Sequence, residues 1–286
     1  MAKNIIPSSA QHCVSCGKPM DDKFCGACGE KKVDPHEFSI KHFLEELLEG
    51  ITHFDGKFFR TVKLLFLKPG QLPLHFLEGR RVAYMKPLQL FVVCNLIFFL
   101  LTGKNNIFAS SFFTFYNFDP YITFGTKETI NRMVAQGVNI DSLASLFNEK
   151  MASQSKAFIV YFIPVITLTS IICFANKKRH LFEHLIFASY VFSFVLLFFT
   201  LGKWVIGEPL TYLLHLEGYS SSFDVYYTSF HGLVIAIYFA LASRRFYRIS
   251  AGRALAGAAL VLVLLMIGLQ SYRILMFYKI MHSIGG

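Results

Sequence analysis

The sequence predicts a mainly α-helical membrane protein with about five spans and a small zinc-binding ribbon at its N-terminus. Three observations lead there. Hydrophobic residues make up 54% of the 286 positions and charged residues 16%, against roughly 45–50% and about 25% in soluble domains. Long apolar runs recur through residues 88–286. Four of the six cysteines fall into two C-x2-C pairs close to the start.

The ribbon comes first along the chain and is assigned residues 1–36. Its pairs are Cys13-Val14-Ser15-Cys16 and Cys25-Gly26-Ala27-Cys28. Zinc favours four soft ligands in a tetrahedron, and each C-x2-C turn can direct two thiolates at one ion. Gly17 and Gly29 follow the two turns, where the chain must bend tightly. Lys18, Lys23, Lys31 and Lys32 offset part of the charge of a four-thiolate site. The alternative is a pair of disulfides. Met1 to Gln11 is short and polar, without the apolar core of a signal peptide, so this segment is expected to stay in the reducing cytosol. That favours zinc, bound at a closed structural site rather than a catalytic one. Cys94 and Cys173 lie inside apolar runs without ligand spacing and read as small packing residues.

Residues 37–87 read as an amphipathic linker at the cytosolic interface. Ile40, Phe43, Leu44, Leu47, Leu48 and Ile51 follow helical spacing, with Ser39 as N-cap and Glu45, Glu46 and Glu49 opposite. Lys57–Leu67 alternates Phe58, Phe59, Val62, Leu65 and Phe66 with Lys57, Arg60 and Lys63, as an interfacial helix does. Lys68-Pro69-Gly70 ends it, and Pro73 can open a further short helix through Gly79.

The membrane domain, residues 88–286, holds five apolar segments: Leu88–Thr102, Ala157–Ala175, Leu185–Gly202, Tyr226–Ala242 and Ala254–Tyr272. A spanning helix needs about 20 residues. The first segment is short and carries Asn95. Between the first two lies an outer loop, 103–156. Its Phe112, Phe113, Phe115, Tyr116 and Phe118 suggest an aromatic cluster on the membrane surface, and Thr126–Gln136 and Ile140–Lys150 suggest helices.

Charge fixes the expected orientation. The net charge is +10, yet residues 1–36 carry five Lys against four Asp or Glu, so the soluble part lacks the basic patch of a nucleic-acid binder. The excess flanks apolar runs instead: Arg80, Arg81 and Lys86, then Lys177-Lys178-Arg179, then Arg244, Arg245, Arg248 and Arg253. These clusters fall on alternate loops, which places the N-terminus in the cytosol and the C-terminus outside by the positive-inside rule.

The chain also resembles an uncharacterised bacterial family that joins an N-terminal zinc ribbon to a multi-span membrane domain. The likeness rests on the two cysteine turns, Phe54-Asp55-Gly56-Lys57 with Arg60-Thr61, and Lys68-Pro69-Gly70. It continues through Phe76-Leu77-Glu78-Gly79-Arg80-Arg81, Tyr84-Met85-Lys86-Pro87-Leu88, Glu183-His184-Leu185 and Arg244-Arg245-Phe246-Tyr247. The family often places histidines in the helix after its Glu-His pair, where this chain has Tyr190 and Phe192. The resemblance implies an integral protein of the bacterial cytoplasmic (inner) membrane and names no reaction.

Catalytic signatures are missing: there is no Gly-x-Ser-x-Gly elbow, no His-Glu-x-x-His site and no phosphate loop. The leading expectation is therefore a non-enzymatic membrane protein whose ribbon docks or senses a cytosolic protein partner. Membrane lipids and a second copy of the chain are further expected partners. Arg80, Arg81, Lys86, Glu183 and His184 are the candidate lipid or partner contacts, against a plain anchoring role. Two alternatives stand beside this: a small transporter or channel, and a membrane enzyme acting on lipid or envelope precursors through His75, Glu78, Glu183 or His184.

Overall fold

The computed structural model describes residues 12–20, 22–32, 56–102, 106–156, 159–174, 179–213 and 221–285. The expected helix from Ser39 to Ile51 lies outside the described residues. Among the described residues all regular structure is helical, apart from two isolated bridges, His12 to Pro19 and Phe24 to Lys31, in the cysteine unit.

Among the described residues, two short helices precede the bundle: α1, Lys57–Leu67, and α2, Gln71–Leu77. The turn between them requires glycine twice over. Gly70 has φ of +77°, and a Cβ there would stand 2.4 Å from the Ala242 carbonyl oxygen. Pro69 accepts a hydrogen bond from Arg245 Nη1 at 2.8 Å, and the Tyr238 hydroxyl donates to the Leu65 carbonyl at 3.1 Å. Lys68-Pro69-Gly70 is thus a docking turn as well as a helix stop.

Five apolar helices then run in alternating directions. They are α3, Pro87–Leu101; α7, Phe162–Phe174; α8, Leu181–Gly202; α10, Ser221–Tyr247; and α11, Ala251–Gly285. The start of α3 and the middle of α8 lie together, since Tyr190 donates to the Met85 carbonyl and Phe91 stacks on Phe192. Both helices end together, where Lys203 meets Thr102. The returning helices bring Phe174 against Phe239 and Tyr247 at the opposite end.

Among the described residues, two of these helices, Leu181–Leu210 taken with its extension and Ala251–Gly285, are long and apolar enough to cross a membrane, each with a mean hydropathy of 2.2 over its most apolar 18 residues. Ile140–Gln154 and Ile159–Phe174 form a third candidate, bent by 62°, and α3 is a shorter apolar helix. The two long helices differ in role. In its most apolar stretch α8 is 78% buried, and it forms the centre of the bundle, whereas α11 is 33% buried there and turns Leu255, Val263, Met266 and Ile267 outward. An apolar face left exposed over such a length suits lipid rather than water.

α3 is only about 22 Å long at 1.5 Å per residue, short of the roughly 30 Å of hydrocarbon in a bilayer. Its last carbonyls would be unsatisfied in an apolar setting. Three side chains meet them: Lys156 Nζ donates to Phe99 at 3.1 Å, Trp204 Nε1 to Leu101 at 2.9 Å and Lys203 Nζ to Thr102 at 2.7 Å. Two cations also suit the negative end of the helix dipole.

α11 departs most from its expected length. The apolar segment ends near Tyr272, yet the helix continues to Gly285 and is about 52 Å long at 1.5 Å per residue. The extra turns organise the 106–156 region, which holds α4, Phe112–Asn117; α5, Thr126–Ala135; and α6, Ile140–Gln154. Phe277 packs on Phe115 and Phe147, Tyr272 donates to the Ser155 carbonyl, and Lys150 Nζ reaches the Ser283 carbonyl at 3.0 Å. The aromatic residues expected on a membrane surface are therefore divided. Phe112 and Phe115 fill this small core, while Phe113 and Phe118 are exposed. α9, Glu208–Leu213, follows a π-helical turn at Lys203–Gly207.

Candidate metal centre and its docking turn

The two cysteine turns are built alike. In the first, Gly17 N–H donates to the Cys13 carbonyl at 2.8 Å and Cys13 N–H to Lys18 at 2.7 Å. In the second, Gly29 N–H donates to Cys25 and Cys25 N–H to Glu30, both at 2.8 Å. Gly17 and Gly29 have φ of +73° and +74°, a region that penalises any residue with a Cβ. Each turn therefore presents its two sulfurs from the same side of the chain.

The four Sγ atoms lie within 4.8 Å of one another. Cys13 and Cys28 are 3.5 Å apart, and Cys16 and Cys25 are 3.6 Å apart. A tetrahedral ion with metal–sulfur bonds of about 2.3 Å requires edges of about 3.8 Å. The same separations are far beyond a disulfide of about 2.05 Å, so all four are free thiols placed for a metal ion. Cys13 and Cys25 are buried, while Cys16 is exposed. Backbone N–H groups of Ala27 and Cys28 lower the Cys25 thiol to about 7. For Cys28 the backbone N–H of Glu30 also lowers the thiol, but burial and the other three sulfurs outweigh it and push it up to about 12. A metal ion would collect such thiols as thiolates and release their protons.

Glu30 links this centre to the helical domain. Its carboxylate is 2% exposed, and Oε2 accepts three hydrogen bonds: from the Ser15 hydroxyl at 2.6 Å, from Arg81 N–H at 2.9 Å and from Val82 N–H at 3.0 Å. One oxygen thus joins the first cysteine turn, the second cysteine turn and the α2–α3 connection. Sequence reasoning did not single out Glu30. The signal available was an acidic residue directly after Cys28-Gly29, and nothing in the sequence shows its partners more than fifty positions away.

The α2–α3 connection is itself held from several sides. Arg81 lays its guanidinium over the Phe76 ring, 4.7 Å from the centroid, and donates from Nε to the Phe76 carbonyl at 3.3 Å. The Met85 N–H donates to Thr61 Oγ1 at 3.0 Å, and its carbonyl accepts from Tyr190 at 2.8 Å. Arg80 is exposed and lies 3.8 Å from Glu78, and Lys86 stands directly before α3. Burial, then the positive charge of Arg80, lowers the His75 imidazole below its ordinary range.

The other candidate pair makes different contacts. Glu183 accepts from Arg179 at 3.1 Å, and Arg179 also reaches the Phe246 carbonyl at 3.2 Å. His184 is buried, with Nδ1 2.7 Å from the Tyr247 hydroxyl and its ring stacked on Tyr247. These bonds tie α8 to α10, so Glu183 and His184 have structural employment where they stand. Cys94 is fully buried and Cys173 partly buried, as packing residues are.

Fold and centre together have the features of a helical membrane protein carrying a four-cysteine unit that could hold a metal ion. Residues 55–99 match a family model described as a protein of unknown function, DUF3667. That match covers α1, α2, the connection beneath the cysteine unit and nearly all of α3. No curated protein and no solved structure matches the chain.

Proposed function

We propose that this chain is a non-enzymatic integral membrane protein of the bacterial inner membrane, whose zinc ribbon clamps the cytosolic turn ahead of α3 and presents a metal-dependent docking surface to a protein partner. The observation that carries the reading is Glu30, whose one carboxylate oxygen joins both cysteine turns to the backbone of Arg81 and Val82. Four thiolates close the coordination shell, so the ion supplies folding energy rather than a reaction site. Loss of the ion would loosen the second turn, withdraw Glu30, leave the Val82 amide without its acceptor and leave the Arg81 amide with only the Gly79 carbonyl at 3.1 Å.

Orientation and span number belong to the same proposal. Arg179, Arg244 and Arg245 stand near Phe246 and Pro69, at the end of the bundle that also holds Arg80, Arg81 and the cysteines. A cluster of arginines at one end supports a cytosolic ribbon. Five helices of alternating direction then support five crossings, with the C-terminus outside. Arg80, exposed beside the clamp, is the first candidate for contact with an acidic partner or headgroup. The test is co-purification from native membranes with wild type and with Cys13→Ser/Cys16→Ser. A partner recovered by the wild type and lost from the variant supports the reading; the same partners on both remove the ribbon from it.

A further inference from the structure

At the end of the bundle away from the cysteines, where α3 stops short, a cavity of about 870 Å³ opens between the helices. That volume falls within the roughly 300–1,000 Å³ of sites for small organic molecules. Phe98 and Phe199 line its inner wall, and Lys203, Arg273 and Glu149 bring charge to it. Serines and amides, among them Ser111 and Asn148, share the remaining wall with Ile107, Ala109, Met151 and Ala152.

The two cations retain donors for a ligand. Lys203 donates to the Thr102 carbonyl at 2.7 Å and lies 3.8 Å from Glu208, which leaves capacity among the three hydrogens of its ammonium. Arg273 places Nη1 3.2 Å from the Tyr121 hydroxyl and Nη2 2.7 Å from the Ile107 carbonyl. Its Nε is buried and has no acceptor among the described residues. Nη1 and Nη2 of Arg273 each keep a second hydrogen that a ligand oxygen can accept.

Charge and depth restrict the ligand further. Glu149 shares the cavity wall with Lys203 and Arg273, and Glu208 lies beside Lys203, so a plain anion would meet carboxylates as well as cations. A group carrying both a phosphate and an ammonium matches both signs. Next to the cavity, Leu100, Leu101, Trp204 and Val205 are exposed, and a tryptophan among apolar residues marks headgroup depth.

We infer that this cavity binds a phosphoethanolamine group, with the phosphate on Arg273 and Lys203 and the ammonium on Glu149. The group could arrive on a phospholipid or as a free phosphate ester, and the test separates them. Full-length protein is loaded with phosphatidylethanolamine or phosphatidylglycerol and examined by native mass spectrometry. In a parallel arm, soluble phosphoethanolamine is titrated by calorimetry. The wild type is expected to retain phosphatidylethanolamine over phosphatidylglycerol, or to bind the soluble ester, and the positive arm names the source. Arg273→Gln should weaken that binding about ten-fold or more, as loss of a charge-assisted hydrogen bond does. Because Arg273 also braces Ile107 and Tyr121, Glu149→Gln at an exposed position is the second variant; it should erase the preference for the ammonium-bearing group. Absence of binding in both arms, or binding and preference unchanged in Glu149→Gln, would overturn the assignment.

Discussion

Replacing Glu30 with alanine isolates the clamp from the metal, because Glu30 is not among the four sulfur ligands. The substitution removes the acceptor of three hydrogen bonds while the Glu30 backbone carbonyl still receives Cys25 N–H. A hydrogen bond contributes about 1 kcal/mol net, and one to a charged group about 1.5–3 kcal/mol. Ser15 and the two half-buried amides can each recover part of this from water, so the lower figure applies to each. The docked arrangement should lose about 3 kcal/mol, which is roughly 10²-fold in the ratio of docked to released ribbon. Hydrogen exchange in full-length protein reads this at the Arg81 and Val82 amides. Protection at Val82 should fall roughly 10²-fold, and by less at Arg81, whose N–H also donates to the Gly79 carbonyl at 3.1 Å, while bound metal stays at the wild-type level. Unchanged protection at both amides with metal retained would refute the clamp.

Metal removal should release the same two amides by another route: a chelator is expected to deprotect Arg81 and Val82 in the wild type and to add little in Glu30→Ala, read by the same exchange measurement. Gly70→Ala should destabilise the chain by about 2–4 kcal/mol, since it combines a left-handed backbone with overlap on the Ala242 carbonyl; thermal unfolding in detergent checks it, and a neutral result would mean that the α1–α2 turn moves freely from α10. Lys156→Met should fray the last turn of α3 by leaving the Phe99 carbonyl without its donor, seen as faster exchange at Leu101 and Thr102. His75 predicts a pH effect of fixed sign. Its folded form favours the neutral ring, so the stabilisation is complete above the ordinary value of 6.5 and declines as pH falls below it; His75→Gln should flatten that decline in unfolding curves taken across this range.

Local features were legible in the sequence wherever chemistry and spacing lie close together. The helix expected at Lys57–Leu67 has those bounds, because Lys68-Pro69-Gly70 follows an amphipathic run. The four cysteines converge because each C-x2-C turn carries its own glycine. Contacts distant in sequence were not legible. The apolar run ends near Tyr272 and Arg273 and Lys279 follow it, yet these residues continue α11 and reach Tyr121, Ile107 and Gln154 on the 106–156 region. The same limit hid Glu30, and it hid the cavity, whose walls come from α3, α6, α8 and α11. Apolar length by itself also overstates what a helix must do. α8 is as apolar as α11 but spends that character on its neighbours, while α11 presents much of it outward.

The most direct measurement of the clamp is a distance from the cysteine unit to the helical domain, with and without metal. Spin labels introduced through non-canonical amino acids at Lys18 and Lys63, both exposed, report it in full-length protein in nanodiscs. With metal bound, one narrow distance distribution is expected, which broadens when the ion is chelated and recovers when zinc is restored. A distribution that is equally broad in both states, or equally narrow in both, would contradict it.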